Sequence, residues 1–263
     1  MDKPHRLLPD IEVLPAHFPI PQIGFLPINA FVIKAKEPVL IDSGIGIDSD
    51  EFMKALKSVI DPKDLRWIWL THDDADHTGS LRRVLEAAPR ARLAAFSLAV
   101  LRLSTVRPLP MERVYWLNPG ESIEVGDRRL TAVRPPLFDN PTTIGVYDSK
   151  SEAFFSADCF GGLIASPAQN IDEIDKEDLA LGMTNWASAD SPWAHMVEPA
   201  RFSRTLDEIR RLAPKAIFSA HLPSALGDID RLLGTLAQLP ASTPFVTPNQ
   251  AALVQMMVQM GGS

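Results

Sequence analysis

A dense cluster of metal-binding side chains occupies residues 70–81, which read LTHDDADHTGSL. Two histidines bracket three aspartates within six positions of this stretch. Imidazole and carboxylate groups are the usual protein ligands of borderline and hard divalent metals. Carboxylates this close together repel one another strongly unless a cation neutralises them. The cluster therefore predicts a metal site, whereas its alternative use, capping the start of a helix, needs only one aspartate.

The local sequence places this cluster on a loop between a strand and a helix. Residues 66–70 (RWIWL) read as a buried strand, and residues 79–88 (GSLRRVLEAA) read as a helix. Ligands commonly bind at such loops in α/β proteins. Alternate side chains of an extended segment point the same way, so His72 and Asp74 are expected to share one face. Asp76 follows at the same spacing and is expected to join them.

Other residues near this loop carry different expectations. His77 stands where the helix begins and is the second histidine of the cluster. Asp73 is expected to face outward, because the residues on either side of it claim the inner face. Asp42 is expected to bond backbone amides beside the metal loop. Cys159 is expected to be a small buried residue.

Short apolar runs and helical periodicity alternate along the chain. Runs rich in Val, Ile, Phe and Trp predict strands at 30–33, 38–42, 66–70, 91–96, 113–117, 129–133, 143–148, 152–157 and 215–220. Helical periodicity predicts helices at 49–59, 80–88, 201–213, 225–238 and 249–260. The strand-rich middle lies between two parts in which strands and helices alternate. This order predicts an α/β protein with two sheets rather than one doubly wound sheet.

The length of 263 residues allows one large domain or two small ones. We expect residues 1–240 to form a single metal-binding domain. The Pro-rich stretch LPASTPFVTPNQ predicts a linker to a C-terminal helix, so that residues 241–263 belong to the same domain or to an interface. The stretch IDSGIGIDSDEF lacks the third glycine and the acidic residue of a dinucleotide loop, so we expect a tight turn with Asp48 or Ser49 as the helix cap.

Composition and charge exclude several classes of protein. The formal net charge is −7 and no basic stripe compensates it, so nucleic acid is not an expected partner. No apolar run approaches the ~20 residues of a membrane span, so no membrane partner is expected. The first residues also lack the apolar stretch of a secretory signal. Cys159 is the only cysteine, which excludes an internal disulfide and favours a cytoplasmic location.

The cluster and three other segments resemble the signature of the metallo-β-lactamase superfamily. THDDADHTGS (71–80) resembles the motif Thr-His-x-His-x-Asp-His-x-Gly, and INAFVI…PVLIDSG resembles the opening strands and the first aspartate turn. FFSADCFGG (154–162) resembles the strand that ends in a metal-bridging aspartate, here Asp158. AIFSAHLPS (216–224) resembles the final strand that ends in a histidine ligand, here His221. The resemblance covers most of the chain and implies an α/β fold, a four-layer αββα sandwich with the metals at one edge.

Two departures from that signature make the chain similar to one branch of the superfamily. Asp74 replaces the usual second histidine. The segment RPPLFDNPTTIG (134–145), where the next family histidine normally lies, contains none, and its closest counterpart is Asp139, two residues before Pro141. This spacing resembles the His-x-Pro pattern of the oxygen-binding di-iron and flavodiiron branch, which also carries a carboxylate at the position of Asp74. The alternative for Asp139 is an Asx-turn before Pro141.

The resemblance implies a dinuclear site with two metal ions. The first metal is expected to bind His72, Asp74, Asp139 and Asp158. The second metal is expected to bind Asp76, His77, His221 and the shared Asp158. Because carboxylate-rich ligand sets suit iron or manganese better than zinc, iron is favoured, with zinc or manganese as alternatives. Asp76 and Asp158 are the candidate catalytic residues.

The segment GMTNWASADSPWAHMVE (182–198) predicts a long loop over the site. Trp186 and Trp193 are expected to form the wall of a substrate pocket, and the alternatives are ordinary packing or a subunit interface. His195 is a candidate proton donor or a substitute for a missing ligand.

Three functions are compatible with these residues. The favoured one is a di-iron protein that binds or reduces a small oxidant such as dioxygen or nitric oxide. Its electrons would come from a separate donor protein, because the sequence contains no recognisable flavin-binding or redox-cysteine segment. The alternative is a hydrolase of an ester, lactone, thioester or phosphoester, in which the metals lower the pKa of a bridging water to about 7. The third is a metal-dependent sensor without turnover. A homodimer is the base-rate expectation for assembly.

Overall fold

The computed structural model describes the backbone of residues 1–261 and the side chains of residues 1–257. The strands of the first sheet are β1 (His5–Leu8), β2 (Ile11–Ile20), β3 (Gly24–Ile33), β4 (Val39–Ile41), β5 (Trp67–Trp69), β6 (Arg92–Ala95) and β7 (Val114–Trp116). The strands of the second sheet are β8 (Ser122–Glu124), β9 (Arg129–Val133), β10 (Gly145–Asp148), β11 (Ala153–Phe155), β12 (Ala216–Phe218) and β13 (Ala225–Leu226).

Eight α-helices accompany these strands in the described part of the chain. They are α1 (Ser49–Val59), α2 (Ala75–Thr78), α3 (Leu81–Ala87), α4 (Ser97–Ser104), α5 (Lys176–Asp190), α6 (Pro199–Leu212), α7 (Ile229–Gln238) and α8 (Gln250–Gly261). A 3-10 helix, Pro192–Met196, joins α5 to α6.

The two sheets differ in how their strands are connected. In the first sheet the strands lie side by side in chain order, antiparallel from β1 to β4 and parallel from β4 to β7. Helices α1, α3 and α4 make the crossovers between its parallel strands, as parallel pairing requires. In the second sheet the order is β13-β12-β11-β10-β9-β8, and only the pair β11–β12 is parallel, with α5 and α6 between its members.

Three apolar cores hold the layers together. The central core lies between the sheets, where the rings of Phe31, Phe155 and Phe218 pack with centroids 5.2 to 5.8 Å apart. A second core joins the first sheet to α1, α3 and α4. A third joins the second sheet to α5, α6 and α7. The layer order is therefore helix, sheet, sheet, helix, which confirms the αββα fold expected from the sequence.

Most elements expected from the sequence are present, with small shifts at their ends. All nine expected strands and the five expected helices have a counterpart, although α7 begins at Ile229 rather than at residue 225. The short strand β1 and the ten-residue strand β2 were not predicted, because the five prolines from Pro4 to Pro21 mask their apolar pattern. The short strands β8 and β13 were not predicted either. Asp48 occupies the expected cap position of α1, but its side chain makes no capping hydrogen bond there.

The predicted loop at 182–198 is wrong. The segment begins inside α5, a helix that runs to Asp190, and continues into the 3-10 helix Pro192–Met196. Its small and polar residues concealed the helix, because burial against the second sheet replaces the strong amphipathic pattern of a surface helix.

The C-terminal segment forms the predicted helix, α8. Several of its apolar side chains are exposed, among them Leu253, Val254 and Met257. Residues 262 and 263 of the expected C-terminal segment lie outside the described residues. Among the helices that are described, none is both long enough and apolar enough to cross a membrane.

Candidate metal centre

The candidate metal ligands gather where strands of both sheets end. Loops that follow β5, β9, β11 and β12 carry them, and the carboxyl ends of these strands lie at one edge of the sandwich. The loop after β5 continues into the short helix α2, which contributes Asp76 and His77. Backbone geometry therefore brings together residues that are up to 149 positions apart, from His72 to His221.

Asp158 is the centre of this group. Its Oδ2 lies 3.1 Å from Nε2 of His72, and its Oδ1 lies 3.0 Å from Nε2 of His77 and 3.1 Å from Nε2 of His221. The Oδ2 atom of Asp76 lies 3.5 Å from Nε2 of His77 and 3.4 Å from Nε2 of His221. The two oxygens of Asp158 thus face different histidines, and Asp76 stands on the side of His77 and His221.

The other side of the centre contains His72, Asp74 and Asp139. Their potential ligand atoms lie within 4.8 Å of one another. Oδ2 of Asp74 is 3.9 Å from Nε2 of His72. Asn140, next to Asp139, donates from Nδ2 to Oδ1 of Asp74 at 2.8 Å and so connects the two loops. Asp139 is the only exposed member of the ligand set expected from the sequence.

Each histidine is held by its outer nitrogen so that Nε2 points into the centre. Nδ1 of His221 donates to the carbonyl oxygen of Pro27 at 2.7 Å, and Nδ1 of His77 lies 2.9 Å from Oδ2 of Asp42. Nδ1 of His72 lies 3.1 Å from the hydroxyl of Thr71. Such contacts fix the orientation and tautomer of metal-binding histidines.

Asp42 has the supporting role that the sequence predicts. Its carboxylate accepts hydrogen bonds from the amide of Thr71 at 2.8 Å and from the Thr71 hydroxyl at 2.7 Å, in addition to its contact with His77. The turn that follows packs tightly on the metal loop, since a Cβ added to Gly79 would lie 2.2 Å from the nitrogen of Gly46. Gly79 therefore serves the close approach of the two backbones.

Unpartnered buried atoms test whether these residues fit a metal. Nε2 of His72, Nε2 of His77 and Oδ1 of Asp158 are buried and have no hydrogen-bond partner among the described residues. A buried polar atom without a partner costs about 1–3 kcal/mol, so such atoms are rare unless something else binds them. Three of them converge on one space lined by nitrogen and oxygen ligands. The site therefore fits metal ions in both its chemistry and its arrangement.

The electrostatics of the centre lead to the same conclusion. Although burial opposes a charge on the ring, the carboxylate of Asp158 raises the pKa of His77 well above its usual value and that of His221 to about 9. Burial also opposes a charge on Asp158, but the three histidines hold the pKa of its carboxyl well below the usual range. Burial and the charge of Asp158 raise the pKa of Asp139 to about 6. The carboxylates thus create a strongly negative potential that attracts cations.

Asp73 does not face outward as expected. Its side chain is only 7% exposed, and its carboxylate binds Nε of Arg102 at 2.9 Å and the hydroxyl of Thr142 at 2.8 Å. It also accepts a hydrogen bond from Asn140. The prediction failed because strand alternation says which way a side chain points but not what packs there. Asp73 supports the loop that carries Asp139 and belongs to none of the groups of potential ligand atoms.

The three predicted pocket residues have different positions. The ring of Trp186 packs on His221, with centroids 4.7 Å apart. Trp193 lies farther out, where its Nε1 donates to the carbonyl oxygen of Phe138 at 2.9 Å and its ring lines an open pocket of about 550 Å³. Nε2 of His195 lies 2.7 Å from the hydroxyl of Ser188, and His195 is not among the clustered ligand atoms. Only Trp186 therefore contacts a candidate ligand directly.

Two contributors to the site were not predicted. Asn29, on β3, donates from Nδ2 to the carbonyl oxygens of Ser219 (3.1 Å) and Leu222 (2.8 Å), which holds the loop of His221 in place. The carboxylate of Asp190, at the end of α5, lies with those of Asp139 and Asp158. No local signal marks either residue, but a buried asparagine in the run INAFVI was the available hint for Asn29.

The amino-acid sequence is similar to a known protein family and to several named proteins. A family model described as ODP family beta lactamase matches residues 26–221. The Flavo-diiron protein FprA2 of Clostridium acetobutylicum is 28% identical over 140 residues, which are 53% of this chain and 35% of that protein. The anaerobic nitric oxide reductase flavorubredoxin of Salmonella arizonae is 25% identical over 173 residues, which are 65% of this chain and 36% of that protein. The chain spans about a third of the length of these curated relatives.

Solved structures give the corresponding likeness in fold. The rubredoxin oxygen:oxidoreductase of Desulfovibrio gigas matches with a TM-score of 0.77 and 19% identity, over 91% of this chain and 61% of that chain. The flavodiiron protein of Giardia intestinalis matches with a TM-score of 0.78 and 17% identity, over 91% of this chain and 60% of that chain. At these identities the likeness is one of fold.

Proposed function

The chain belongs to the family described as ODP family beta lactamase, and we propose that it binds two iron ions and reduces a small oxidant such as dioxygen or nitric oxide. The observation that carries the proposal is the donor set around Asp158, with four carboxylates and three imidazoles at two adjoining positions. Carboxylate-rich sets favour iron over zinc. The names of the flavodiiron and nitric oxide reductase relatives support both the metal and the reaction.

The proposed ligands form two sets that share one residue. One metal binds His72, Asp74, Asp139 and Asp158, and the other binds Asp76, His77, His221 and Asp158. Asp158 is the proposed bridge, because its two oxygens face histidines of different sets. When bound, the metal pair supplies the electrons that reduce the oxidant.

The surrounding residues of the chain orient these ligands and limit water around them. Asp42, Thr71 and Pro27 hold the outer nitrogens of the histidines, which keeps each Nε2 directed into the centre. Trp186 covers His221 on the side of α5. Asp76 and Asp158 are the catalytic residues of this proposal, with Asp76 beside His77 and His221 and Asp158 beside all three histidines.

Reduction also requires electrons, and we propose that a separate redox protein supplies them. The single cysteine, Cys159, is buried, and burial raises the pKa of its thiol far above the usual range, so a thiol pair within this chain is not the donor. A reducing compartment such as the cytoplasm suits this proposal. We further propose that residues 1–240 form the metal-binding domain and that 241–263 contribute a linker and a helix at its edge or at an interface.

Metal analysis combined with an oxidant assay tests the proposed function. The protein is purified without added metal, and its metal content and the absorption spectrum of its air-oxidised form are measured, followed by the spectrum after anaerobic reduction. We expect two irons per chain, an iron charge-transfer absorption that bleaches on reduction, and consumption of dioxygen or nitric oxide by the reduced protein. Zinc or manganese as the tightly bound metal, with a featureless spectrum and no oxidant consumption, would refute the proposal and favour hydrolysis.

A further inference from the structure

A fifth carboxylate stands at the metal centre beyond the ligand set inferred from the sequence. Asp190 is the last residue of α5, and its carboxylate oxygen lies within 4.8 Å of those of Asp139 and Asp158. It accepts a hydrogen bond from the Ser191 hydroxyl at 3.1 Å and forms no ion pair within the described residues. Burial and the charges of Asp158 and Asp139 raise the pKa of Asp190 to about 7.

The packing of α5 fixes the position of this carboxylate. A Cβ added to Gly182 would lie 2.1 Å from the carbonyl oxygen of Leu163, so the helix backbone directly contacts the segment that follows Asp158. A Cβ added to Gly161 would lie 2.5 Å from the ring of Trp186. Residues four apart on a helix share a face, so Asp190 lies one turn beyond Trp186 on the face that covers the centre.

The space that Asp190 faces already requires a cation on independent grounds. Nε2 of His72 is buried, has no hydrogen-bond partner among the described residues, and lies 3.1 Å from Oδ2 of Asp158. Three carboxylates whose oxygens lie within 4.8 Å of one another repel unless a cation lies among them. In the described structure no lysine or arginine forms an ion pair with Asp139, Asp158 or Asp190, and the histidines that face Asp158 form no ion pair with Asp139 or Asp190.

We propose that Asp190 is an additional ligand of the dinuclear centre and binds the metal held by His72, Asp74 and Asp139. The inference rests on the proposed function, because it assumes that the centre holds two metals. It gives this metal a predominantly carboxylate environment, with one imidazole from His72. Hard oxygen ligands favour iron over zinc, and the added negative charge stabilises the more oxidised state of the metal. Asp190 therefore contributes to metal choice and to the reduction potential of that ion.

Metal titration of the full chain and of the Asp190→Asn variant tests this assignment. Asparagine keeps the size of the side chain and removes its charge. Anaerobic titration with Co(II) reports each metal through its visible absorption. We expect the variant to lose roughly ten-fold or more in affinity at one of the two metals, with a changed Co(II) spectrum for that metal only. With iron, the variant is expected to have a higher reduction potential than the native chain.

The matched control is Asp178→Asn on the same helix. Asp178 is exposed and lies twelve residues earlier, about 18 Å along the helix axis. This control is expected to keep both affinities, both Co(II) spectra and the potential of the native chain.

The outcomes separate the two inferences. A native chain that binds fewer than two metals refutes the proposed function itself. A native chain with two metals and an Asp190→Asn variant with unchanged affinities and spectra overturns the assignment of Asp190 while the proposed function stands. If the asparagine variant does not fold, Asp190→Glu decides. A ligand displaced by one methylene changes the Co(II) spectrum of one metal, whereas an unchanged spectrum overturns the assignment.

Discussion

Asp158 is the residue of the centre that contacts both sets of candidate ligands. It is 4% exposed, and its two oxygens lie within 3.0–3.1 Å of three histidine nitrogens. Removing it leaves these imidazoles without their common partner. The remaining residues of each set reach only one side of the centre.

Replacing Asp158 by alanine or asparagine is therefore expected to remove both metals. The metal content of the purified chain should fall from about two per chain to nearly none, because a bridging ligand serves both ions. Elemental analysis of the native chain and both variants measures this. Retention of one metal at full occupancy in both variants would refute the bridge.

Asp139 is exposed, so its replacement should have little effect on the fold. A variant at this position therefore tests metal binding separately from stability. Asp139→Ala is expected to lower occupancy of the metal near His72 and Asp74 and to leave the other metal in place. The Asx-turn alternative predicts no loss of metal and only a small loss of stability. Co(II) absorption together with thermal unfolding distinguishes these outcomes.

Asp42 contacts His77 and is not itself a candidate ligand, so its replacement should lower the affinity for metal without removing a ligand. Asp42 has a left-handed backbone with φ of 58°, which asparagine also tolerates. Asp42→Asn is expected to reduce metal affinity by about 10–100-fold. The control Asp48→Asn changes the same type of residue in the same turn. Equal affinity in the two variants would show that the contact with His77 does not support the metal.

Among the helices, α5 places Trp186 and Asp190 over the candidate metal centre. Its approach depends on a glycine that no periodicity argument identifies. Gly182 contacts the carbonyl oxygen of Leu163 so closely that any side chain would have to move the helix. The position of α5 over the candidate metal centre thus depends on this backbone contact.

Gly182→Ala is expected to destabilise the fold by about 1–3 kcal/mol, since the added methyl group clashes with backbone rather than with a movable side chain. The control is Gly234→Ala in α7, where the added Cβ meets nothing within 4 Å. There the alanine should stabilise the helix by about 0.5–1 kcal/mol. Denaturant unfolding measures both, and effects of the same sign would contradict the proposed contact.

In the molecule as a whole, an ion network around the buried side chain of Arg128 joins the two sheets. Arg128 is buried and binds Asp10 in the turn between β1 and β2 of the first sheet. It also binds Asp127 at 3.1 Å and the fully buried Asp148 of β10 at 3.1 Å. Removing the guanidinium leaves Asp148 buried without a cation.

Arg128→Met is therefore expected to cost about 3–5 kcal/mol of unfolding free energy. The control Arg129→Met removes a neighbouring surface arginine, which forms an exposed ion pair with Glu124, and should cost at most about 1 kcal/mol. Chemical denaturation at neutral pH compares the three proteins. A similar small cost for both variants would show that the network does not hold the sheets together.

The same network predicts how the effect of Arg128→Met depends on pH. Although burial opposes it, hydrogen bonding and the charge of Arg128 lower the pKa of Asp10, and hydrogen bonding to Arg128 chiefly lowers that of Asp127. A carboxyl whose pKa is lower in the folded state than in the unfolded state stabilises the fold at pH values above its unfolded pKa of about 3.9. This stabilisation disappears as the pH falls through the folded pKa. The difference in stability between the native chain and the variant should therefore narrow below about pH 4. If the difference in stability between the two proteins does not change with pH, the contacts of Arg128 with Asp10 and Asp127 are not its source.

The features that are encoded locally could be predicted from the amino-acid sequence alone. The spacing of His72, Asp74, Asp76 and His77 on one strand-to-helix loop predicts the metal cluster, and alternating apolar runs predict two sheets with helices outside them. These signals survive without the fold, because strand and helix periods extend over a few residues.

Which distant residues meet at the centre depends on how the two sheets pack, and the amino-acid sequence did not predict it. Asp190 lies 51 residues after Asp139, and Asn29 lies 190 residues before Ser219, so no local pattern relates either residue to its partner. Asp73 was misplaced for the same reason, since what it meets comes from the loop of Asn140 and Thr142. Side chains at the carboxyl ends of several strands converge only when the sheets stack, and that convergence determines which carboxylates lie close together.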